Sequence, residues 1–128
     1  MGVDEATNYE VLCPRAEKEM KNGLIVYFRT LNGKIFFGNE KFLNMRDIKS
    51  NIDLSYNIDK IFKPTELEEI YNEDKLIASN KRTMRYVREV EMIKDNIEKY
   101  RITKYPLFDK ANNVTGLIVT LEKYEQSA

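Results

Sequence analysis

The side chains that could do chemistry here are tyrosines, one arginine and one lysine in strand-like segments. Arg88 alternates with Tyr86 and Val90, and Lys104 alternates with Tyr100. If these faces point inward, a cation in an apolar cavity needs a counter-charge, and a ligand carboxylate could supply it. The other interpretation places Arg88 at the edge of a sheet, with its charge in water or paired with a glutamate. The same two interpretations apply to Lys104.

Three tyrosines could add hydroxyl groups to such a cavity, where a few polar groups among apolar walls fix the orientation of a ligand. Alternatively, their rings pack in the core and their hydroxyls point to solvent. The sequence therefore predicts five candidate ligand-binding residues, which are Tyr71, Tyr86, Arg88, Tyr100 and Lys104.

Catalytic and metal-binding arrangements are hard to assemble from this composition. The chain has no histidine, so Ser-His-Asp catalysis and His-containing zinc sites are excluded. Its single cysteine, Cys13, cannot form an internal disulfide. Glu89 and Glu91 share a strand face, but two carboxylates alone do not make a general acid and base. We therefore expect that the protein is not an enzyme. We also expect that the acidic run at 66–74 is only the solvated face of a helix.

The charge balance indicates a protein with no general attraction to polyanions. The 128 residues include 21 basic and 21 acidic side chains. A net charge of zero lacks the electrostatic signature of nucleic-acid or membrane-surface binding. The apolar stretch at 23–28 is far shorter than the roughly 18 residues that a membrane span needs. We therefore expect no nucleic-acid partner and no direct membrane insertion. Because the single cysteine cannot form an internal disulfide, we expect a cytoplasmic domain.

The first part of the chain predicts a helix followed by a β-hairpin. Pro14 suits the first position of a short polar helix, and Gly23 can take the left-handed conformation that ends it. Residues 24–30 are rich in Ile, Val, Tyr and Phe, which favour a strand. The Asn-Gly step at 32–33 is a strong hairpin signal, and residues 35–37 form the returning strand.

The middle of the chain changes to helical spacing. Asn39 is a plausible N-cap for a short helix, and residues 47–63 suggest short helical turns. Thr65 and Glu68 have the spacing of a capping box, in which each side chain satisfies a free backbone N–H. They would begin the longest helix, which we expect to end near Asn80.

The last third predicts three strands in a meander. They cover residues 83–93, 97–105 and 114–124, and Pro106 is expected to leave the middle strand. The predicted fold class is α+β, a five-stranded antiparallel sheet with short helices and one longer helix on one face, plus an N-terminal helix. The predicted parts are a lead-in and helix at 1–22, the main domain at 23–124 and a tail at 125–128.

Three groups of residues carry a resemblance to a known family. The groups are Asn32-Gly33-Lys34-Ile35 with Asn39 and Phe42-Leu43, then residues 55–64, then 104–109 with Asn113-Val114-Thr115-Gly116. Their order and spacing resemble those of PAS domains, the sensory and interaction modules of bacterial kinases, nucleotide cyclases and transcription regulators. The resemblance covers residues 23–124 and implies the PAS-like five-stranded fold.

The resemblance allows cofactors to be tested by residue. Flavin-binding LOV members carry a reactive cysteine at the position that corresponds to Ile58 in this chain. The resemblance therefore argues against a covalent flavin adduct, but not against non-covalent flavin. Haem-binding members usually supply a histidine, and this chain has none. Ligation of haem by Cys13, by methionine or by tyrosine stays open. The cofactor is therefore unknown.

Two functions follow from the resemblance. In the first, a small molecule binds between the central helix and the sheet, and the signal passes through the contacts of a homodimer to the output domain of a larger bacterial signalling protein. In the second, the domain holds no ligand and serves as an interaction and dimerisation module. The N-terminal helix within 1–22 would then form the dimer contact together with the outer face of the sheet.

Overall fold

A computed structural model shows the arrangement of most of the chain. It describes residues 23–45, 57–60, 62–93 and 96–124. The predicted N-terminal helix within 1–22 and the predicted tail at 125–128 lie outside the described residues.

The described elements follow the order expected from the sequence. They are β1 (Ile25–Thr30), β2 (Ile35–Gly38), α1 (Glu40–Met45), a 3₁₀ turn (Ile58–Lys60), α2 (Pro64–Asn80), β3 (Met84–Ile93), β4 (Asn96–Phe108) and β5 (Val114–Lys123). The strands form one antiparallel sheet in the order β2-β1-β5-β4-β3. The predicted α+β class and the five-stranded sheet are confirmed. No helix within the described residues has the length and apolar character needed to cross a membrane.

Two local signals place the first hairpin and the helix after it. Gly33 has a φ of +93°, and a Cβ at this position would come within 2.8 Å of the Tyr71 hydroxyl oxygen, so only glycine fits the turn. Asn39 accepts a hydrogen bond from the backbone N–H of Phe42 (3.0 Å), as an N-cap does. Its amide also bonds to the backbone of Val26 in β1 and of Leu24 just before this strand, which ties α1 to the sheet.

The long helix begins earlier than the sequence pattern suggested. Its first residue is Pro64, and the N-cap is Lys63, whose backbone N–H donates to Glu66 Oε1 (3.2 Å). The predicted capping box of Thr65 with Glu68 is therefore wrong, because proline is favoured at the first helical position and Thr65 is already inside the helix. The helix ends at Asn80, as expected.

Strand β4 continues past the proline that was expected to end it. Pro106 lies opposite Leu117 of β5, and the strand runs on to Phe108. The neighbouring strand β3 pairs with β4 only as far as Lys104. Pro106 thus has a strand partner on one side, which is where a residue without an N–H is tolerated in a sheet.

Both faces of the sheet are buried at its centre. The face toward α2 packs a large cluster that includes Ile70 and Ile77 of the helix with Leu117, Val119 and Leu121 of β5. The opposite face carries a second cluster made of Leu24, Val26, Phe28, Tyr105, Leu107 and Ile118, with Phe36 and Phe37 packed against it. The alternation along each strand therefore separates two apolar layers, one under α2 and one on the opposite face of the sheet.

Candidate functional site

A small cavity lies between α2 and the outer half of the sheet. Its walls include Phe62, Glu66 and Ile70 on the helical side, and Tyr86, Arg88 and Lys104 on the strands. Its volume is about 20 Å³. A cavity of roughly 10–15 Å³ on this measure holds a single water molecule, so no larger molecule fits without movement of the walls.

Three of the five residues predicted from the sequence meet at this cavity. Tyr86 and Arg88 lie on the helix-facing side of β3, and Lys104 lies on the same side of β4. The Arg88 Cζ atom is 4.5 Å from the centroid of the Tyr86 ring, and Lys104 Nζ is 5.7 Å from it. The tyrosine ring thus contacts both cations, which attract the negative face of an aromatic ring.

A glutamate that the sequence analysis did not select holds these three side chains together. Glu73 of α2 accepts hydrogen bonds from the Tyr86 hydroxyl (2.9 Å) and from Lys104 Nζ (2.9 Å). It also accepts from both terminal nitrogens of Arg88, with Nη1 at 3.2 Å. The counter-charge for Arg88 and Lys104 is therefore a protein carboxylate, as in the glutamate-paired interpretation of Arg88. That interpretation also placed Arg88 at a sheet edge, and β3 is an edge strand.

A second ion pair lies deeper under the helix. Asp74 accepts two hydrogen bonds from the terminal nitrogens of Arg29, each 2.8 Å long. Arg29 is 0% exposed and Asp74 is 4% exposed. Lys104 Nζ lies 3.8 Å from Asp74 Oδ1 and so links this pair to Glu73. Among the described residues, Arg29 Nε is a buried polar atom without a hydrogen-bond partner.

The expectation that the acidic run at 66–74 forms a solvated helix face is wrong at its C-terminal end. Asp74 is four residues after Ile70 and three before Ile77, and both isoleucines are buried in the core. Residues at these spacings lie on the same side of a helix. That spacing is the signal in the sequence that could have identified Asp74 as buried, and it places Glu73 at the border of the same face.

Burial and ion pairing shift the pKa values at the site in predictable directions. Burial alone would raise the pKa of Glu73, but the hydrogen bonds from Arg88 and the positive charge of Lys104 hold it below its ordinary value. Burial lowers the pKa of Lys104, although Glu73 opposes this effect. Burial and the negative charge of Glu73 raise the pKa of Tyr86. The site therefore favours a charged carboxylate and a neutral phenol.

The two remaining candidate tyrosines do not line the cavity. Tyr100 is opposite Arg88 in the sheet, but its ring is buried and its hydroxyl donates to Glu98 Oε2 (3.0 Å). Burial and this hydrogen bond raise the pKa of Tyr100 to about 12. Tyr71 lies on α2 beside a separate apolar groove that Leu31 and Ala78 also line. The structure brings together Tyr86, Arg88 and Lys104 at the cavity wall, and neither Tyr71 nor Tyr100 is part of that wall.

Comparison with solved structures identifies the fold. A PAS domain of a protein from Colwellia psychrerythraea is similar with a TM-score of 0.69 and 15% identity, over 89% of this chain and 97% of that one. The PAS domain of Bordetella pertussis BvgS has a TM-score of 0.63 and 15% identity, over 80% of this chain and 77% of that one. VqmA bound to DPO has a TM-score of 0.64 and 14% identity, over 80% of this chain and 53% of that one.

The resemblance found in the sequence is thus confirmed at the level of structure. Neither the protein-family models nor the curated protein sequences give a match to this chain. The structural similarity extends over most of the chain at low identity, so it establishes the fold. The chain has the fold of PAS domains.

Proposed function

We propose that this chain is a PAS-type sensory or regulatory domain that binds a small molecule between α2 and the sheet. The observation that carries the proposal is the meeting of Tyr86, Arg88 and Lys104 at a cavity between these two layers. A few polar groups within an otherwise apolar wall are the usual composition of a small-molecule site. The neighbour VqmA was solved bound to DPO, which supports the fold's capacity to hold a small molecule.

The charges around the cavity favour an anionic group on the ligand. Arg29, Arg88 and Lys104 bring three positive charges to the network, and Glu73 and Asp74 bring two negative charges. Glu69 lies 3.6 Å from Arg88 and Glu66 lines the cavity, but Glu69 is largely exposed and Glu66 is partly exposed. A ligand carboxylate at the cavity could take the place of these carboxylates beside Arg88, which shares Glu73 with Lys104 and is 28% exposed.

Binding would have to open the cavity, since its present volume is about 20 Å³. Phe62 and Glu66 form the wall near the start of α2, and both are partly exposed. Displacement of these side chains would enlarge the cavity without breaking the Arg29–Asp74 pair. A ligand that binds only the open form shifts the population toward it. In our proposal this shift is relayed through dimer contacts to the output domain of a larger cytoplasmic signalling protein.

The proposal is tested by mass spectrometry of the natively purified chain under non-denaturing conditions. We expect one small anionic molecule per chain, and we expect Arg88→Ala to lose it while the circular dichroism spectrum stays unchanged. Arg101→Ala is the matched control, because Arg101 is an exposed arginine paired with Glu122 in the same sheet. Recovery of the chain without any ligand, or equal ligand retention in both variants, would contradict the assignment.

The second candidate function is a ligand-free interaction module, and the size of the cavity favours it. In this form Glu73 is the permanent partner of Arg88 and Lys104, and the core needs no further occupant. The same experiment separates the two functions, because the module would carry no bound molecule at any stage of purification. In either form we propose that the domain acts by binding rather than by catalysis.

A further inference from the structure

The outer edge of β3 is open in the part of the chain that the structure describes. β3 is the last strand of the sheet, and β4 is its strand partner among the described residues. Its backbone therefore presents N–H and C=O groups along the other edge, as edge strands do. Val87 is 45% exposed, and the neighbouring Arg85 and Glu89 on the same face are also exposed.

The regular part of this edge is symmetric about one residue. The pairing of β3 with β4 is continuous from Met84 to Val90, and the register then shifts before Ile93. Val87 is the midpoint of this seven-residue segment. Two copies of the segment can pair antiparallel about a two-fold axis at Val87. In this register every residue from Met84 to Val90 lies opposite a residue of the same segment in the partner.

The side chains on the outer face match in this register. Val87 lies opposite the partner's Val87, and Arg85 lies opposite the partner's Glu89. By symmetry, Glu89 lies opposite the partner's Arg85. Directly opposite side chains in an antiparallel pair have Cβ atoms about 4.5–5.5 Å apart, and opposite charges at this distance attract. One apolar contact is thus flanked by two ion pairs. Arg85 is also held on this face, since its Nε donates to Thr103 Oγ1 (3.1 Å).

Neighbouring registers are less favourable. In an antiparallel pair, residues that lie opposite each other must point to the same face of the sheet. The two-fold axis must therefore pass through a residue, and the neighbouring registers place it at the residues before and after Val87. An axis at Arg85, Arg88 or Glu89 places two like charges directly opposite each other, which is destabilising. An axis at Tyr86 creates no such repulsion, but it places Arg85 opposite the partner's Val87 and forms no ion pair.

The helix-facing side of the same register adds a second pair of contacts. Tyr86 lies opposite the partner's Arg88, and Arg88 lies opposite the partner's Tyr86. Within one chain the Arg88 guanidinium already stands 4.5 Å from the Tyr86 ring centroid. A tyrosine opposite an arginine across the interface offers the same cation–π attraction. The interface therefore runs beside the cavity that these two residues line.

We propose that two copies of this domain associate by antiparallel pairing of their β3 edges about Val87, which joins their sheets into one of ten strands. Main-chain hydrogen bonds supply the attraction in such edge pairing, and the alternating side chains supply the register. This surface differs from the N-terminal helix and outer sheet face expected from the sequence. It goes beyond the proposed function, because it requires no ligand.

Charge reversal tests the register directly. We measure the dimer dissociation constant by sedimentation equilibrium for the full chain and for Arg85→Glu, Glu89→Arg and the double variant. Each single change turns two attractions into two repulsions, so we expect each to weaken the dimer at least about tenfold. The double variant restores both ion pairs with reversed polarity, and its dissociation constant should return to within about threefold of the original. Lys75→Glu, an exposed reversal on α2, is the control.

Two results overturn the proposal. One is a chain that stays monomeric at high micromolar concentration, and the other is a dimer that the double variant does not restore. A second measurement covers the case in which a charge reversal disturbs folding. In a Cys13→Ser background, Val87→Cys should join two chains through a short bismaleimide cross-linker, and Arg101→Cys on the same face should not. Absence of the Val87→Cys cross-link in a proven dimer also rejects this axis.

The outcome is independent of the ligand experiment. A monomer that retains its small molecule rejects the interface and leaves the proposed binding function in place. A dimer with the expected charge dependence but without ligand supports the interface and favours the interaction module.

Discussion

Two arginines reach the helix α2 from different strands, and their surroundings differ. Arg29 comes from β1 near the centre of the sheet and forms a doubly hydrogen-bonded pair with Asp74, sealed from solvent. Arg88 comes from the edge strand β3, and its side chain is 28% exposed. It shares Glu73 with Tyr86 and Lys104, and the largely exposed Glu69 lies 3.6 Å from it.

This difference in exposure suggests that the Arg29–Asp74 pair stabilises the fold, whereas the Arg88–Glu73 pair can rearrange when another molecule binds. Removal of one member of a buried pair leaves a charge that nothing compensates, whereas an exposed pair contributes little because water screens it. We therefore expect the Arg29–Asp74 pair to hold α2 on the sheet. The Arg88–Glu73 pair can exchange partners at low cost, which a ligand-binding or dimer-forming surface requires.

The largest effect is expected when the sealed pair is broken. Asp74→Asn keeps the shape of the side chain but leaves the buried Arg29 charge without a counter-charge, so the free energy of unfolding should fall by about 3–5 kcal/mol. Urea denaturation followed by circular dichroism measures the change. The double variant Arg29→Met with Asp74→Leu removes both charges and should recover most of the loss. A loss below about 1 kcal/mol in Asp74→Asn would show that the pair is not sealed.

An intermediate effect is expected at Glu73, the carboxylate that Tyr86, Arg88 and Lys104 share. Glu73→Gln removes the charge that three donors use, and we expect a loss of about 1–3 kcal/mol at neutral pH. In the folded chain the pKa of Glu73 lies below its ordinary value of 4.5. Its contribution to stability is therefore complete above that value and declines as the pH falls through the lowered folded-state pKa.

The variant should accordingly lose part of this acid dependence. Denaturation curves measured at a series of pH values between neutral and strongly acidic give the slope of stability against pH. Glu73→Gln should show a shallower slope than the original chain in the acidic range. An unchanged slope would mean that Glu73 is not held in its charged form by Arg88 and Lys104. Glu69→Gln, at a largely exposed position, is the control.

A small effect on stability is expected when Arg88 itself is replaced. Arg88→Ala removes a partly exposed side chain while Lys104 and Tyr86 still satisfy Glu73. We expect a loss of less than about 1 kcal/mol, in contrast to the loss at Asp74. A loss as large as that of Asp74→Asn would remove the distinction between the two arginines. Thermal denaturation of both variants in the same buffer makes the comparison.

The smallest effect is expected at an exposed pair on the other face of the sheet. Arg101 and Glu122 are each about half exposed, and their charged atoms are 3.7 Å apart. Arg101→Ala should change the free energy of unfolding by less than about 0.5 kcal/mol. Because this residue neither lines the cavity nor belongs to β3, it sets the baseline for the other variants. A larger loss would show that exposure alone does not rank these ion pairs.

Local chemistry explains the parts of the fold that could be predicted. The Asn-Gly turn at 32–33 and the N-cap Asn39 act on residues next to them in the chain, so their effects are visible in a short window of sequence. The course of β4 past Pro106 was not visible in this way. Whether proline is tolerated in a strand depends on which neighbours flank it in the sheet, and the end of β3 decides this.

The candidate site was predictable in part for the same reason. Alternation along β3 and β4 grouped Arg88 with Tyr86, and Lys104 with Tyr100, but it left open whether these faces point inward. Asp74 lies within a run of acidic residues, and only its spacing of four residues from the buried Ile70 indicates that it faces the core. Helical periodicity predicts which side of α2 is buried better than the local density of acidic residues does.

The sequence by itself determined the order of the elements, the PAS-like pattern and the need of Arg88 and Lys104 for a counter-charge. Only the tertiary structure decided that Glu73 supplies that charge and that Arg29 belongs to Asp74, 45 residues away. It also decided that β3 is the last strand of the sheet formed by the described residues. The physical reason is that periodicity fixes the face on which a residue lies, whereas ion pairing and edge exposure depend on distances between elements remote in the chain.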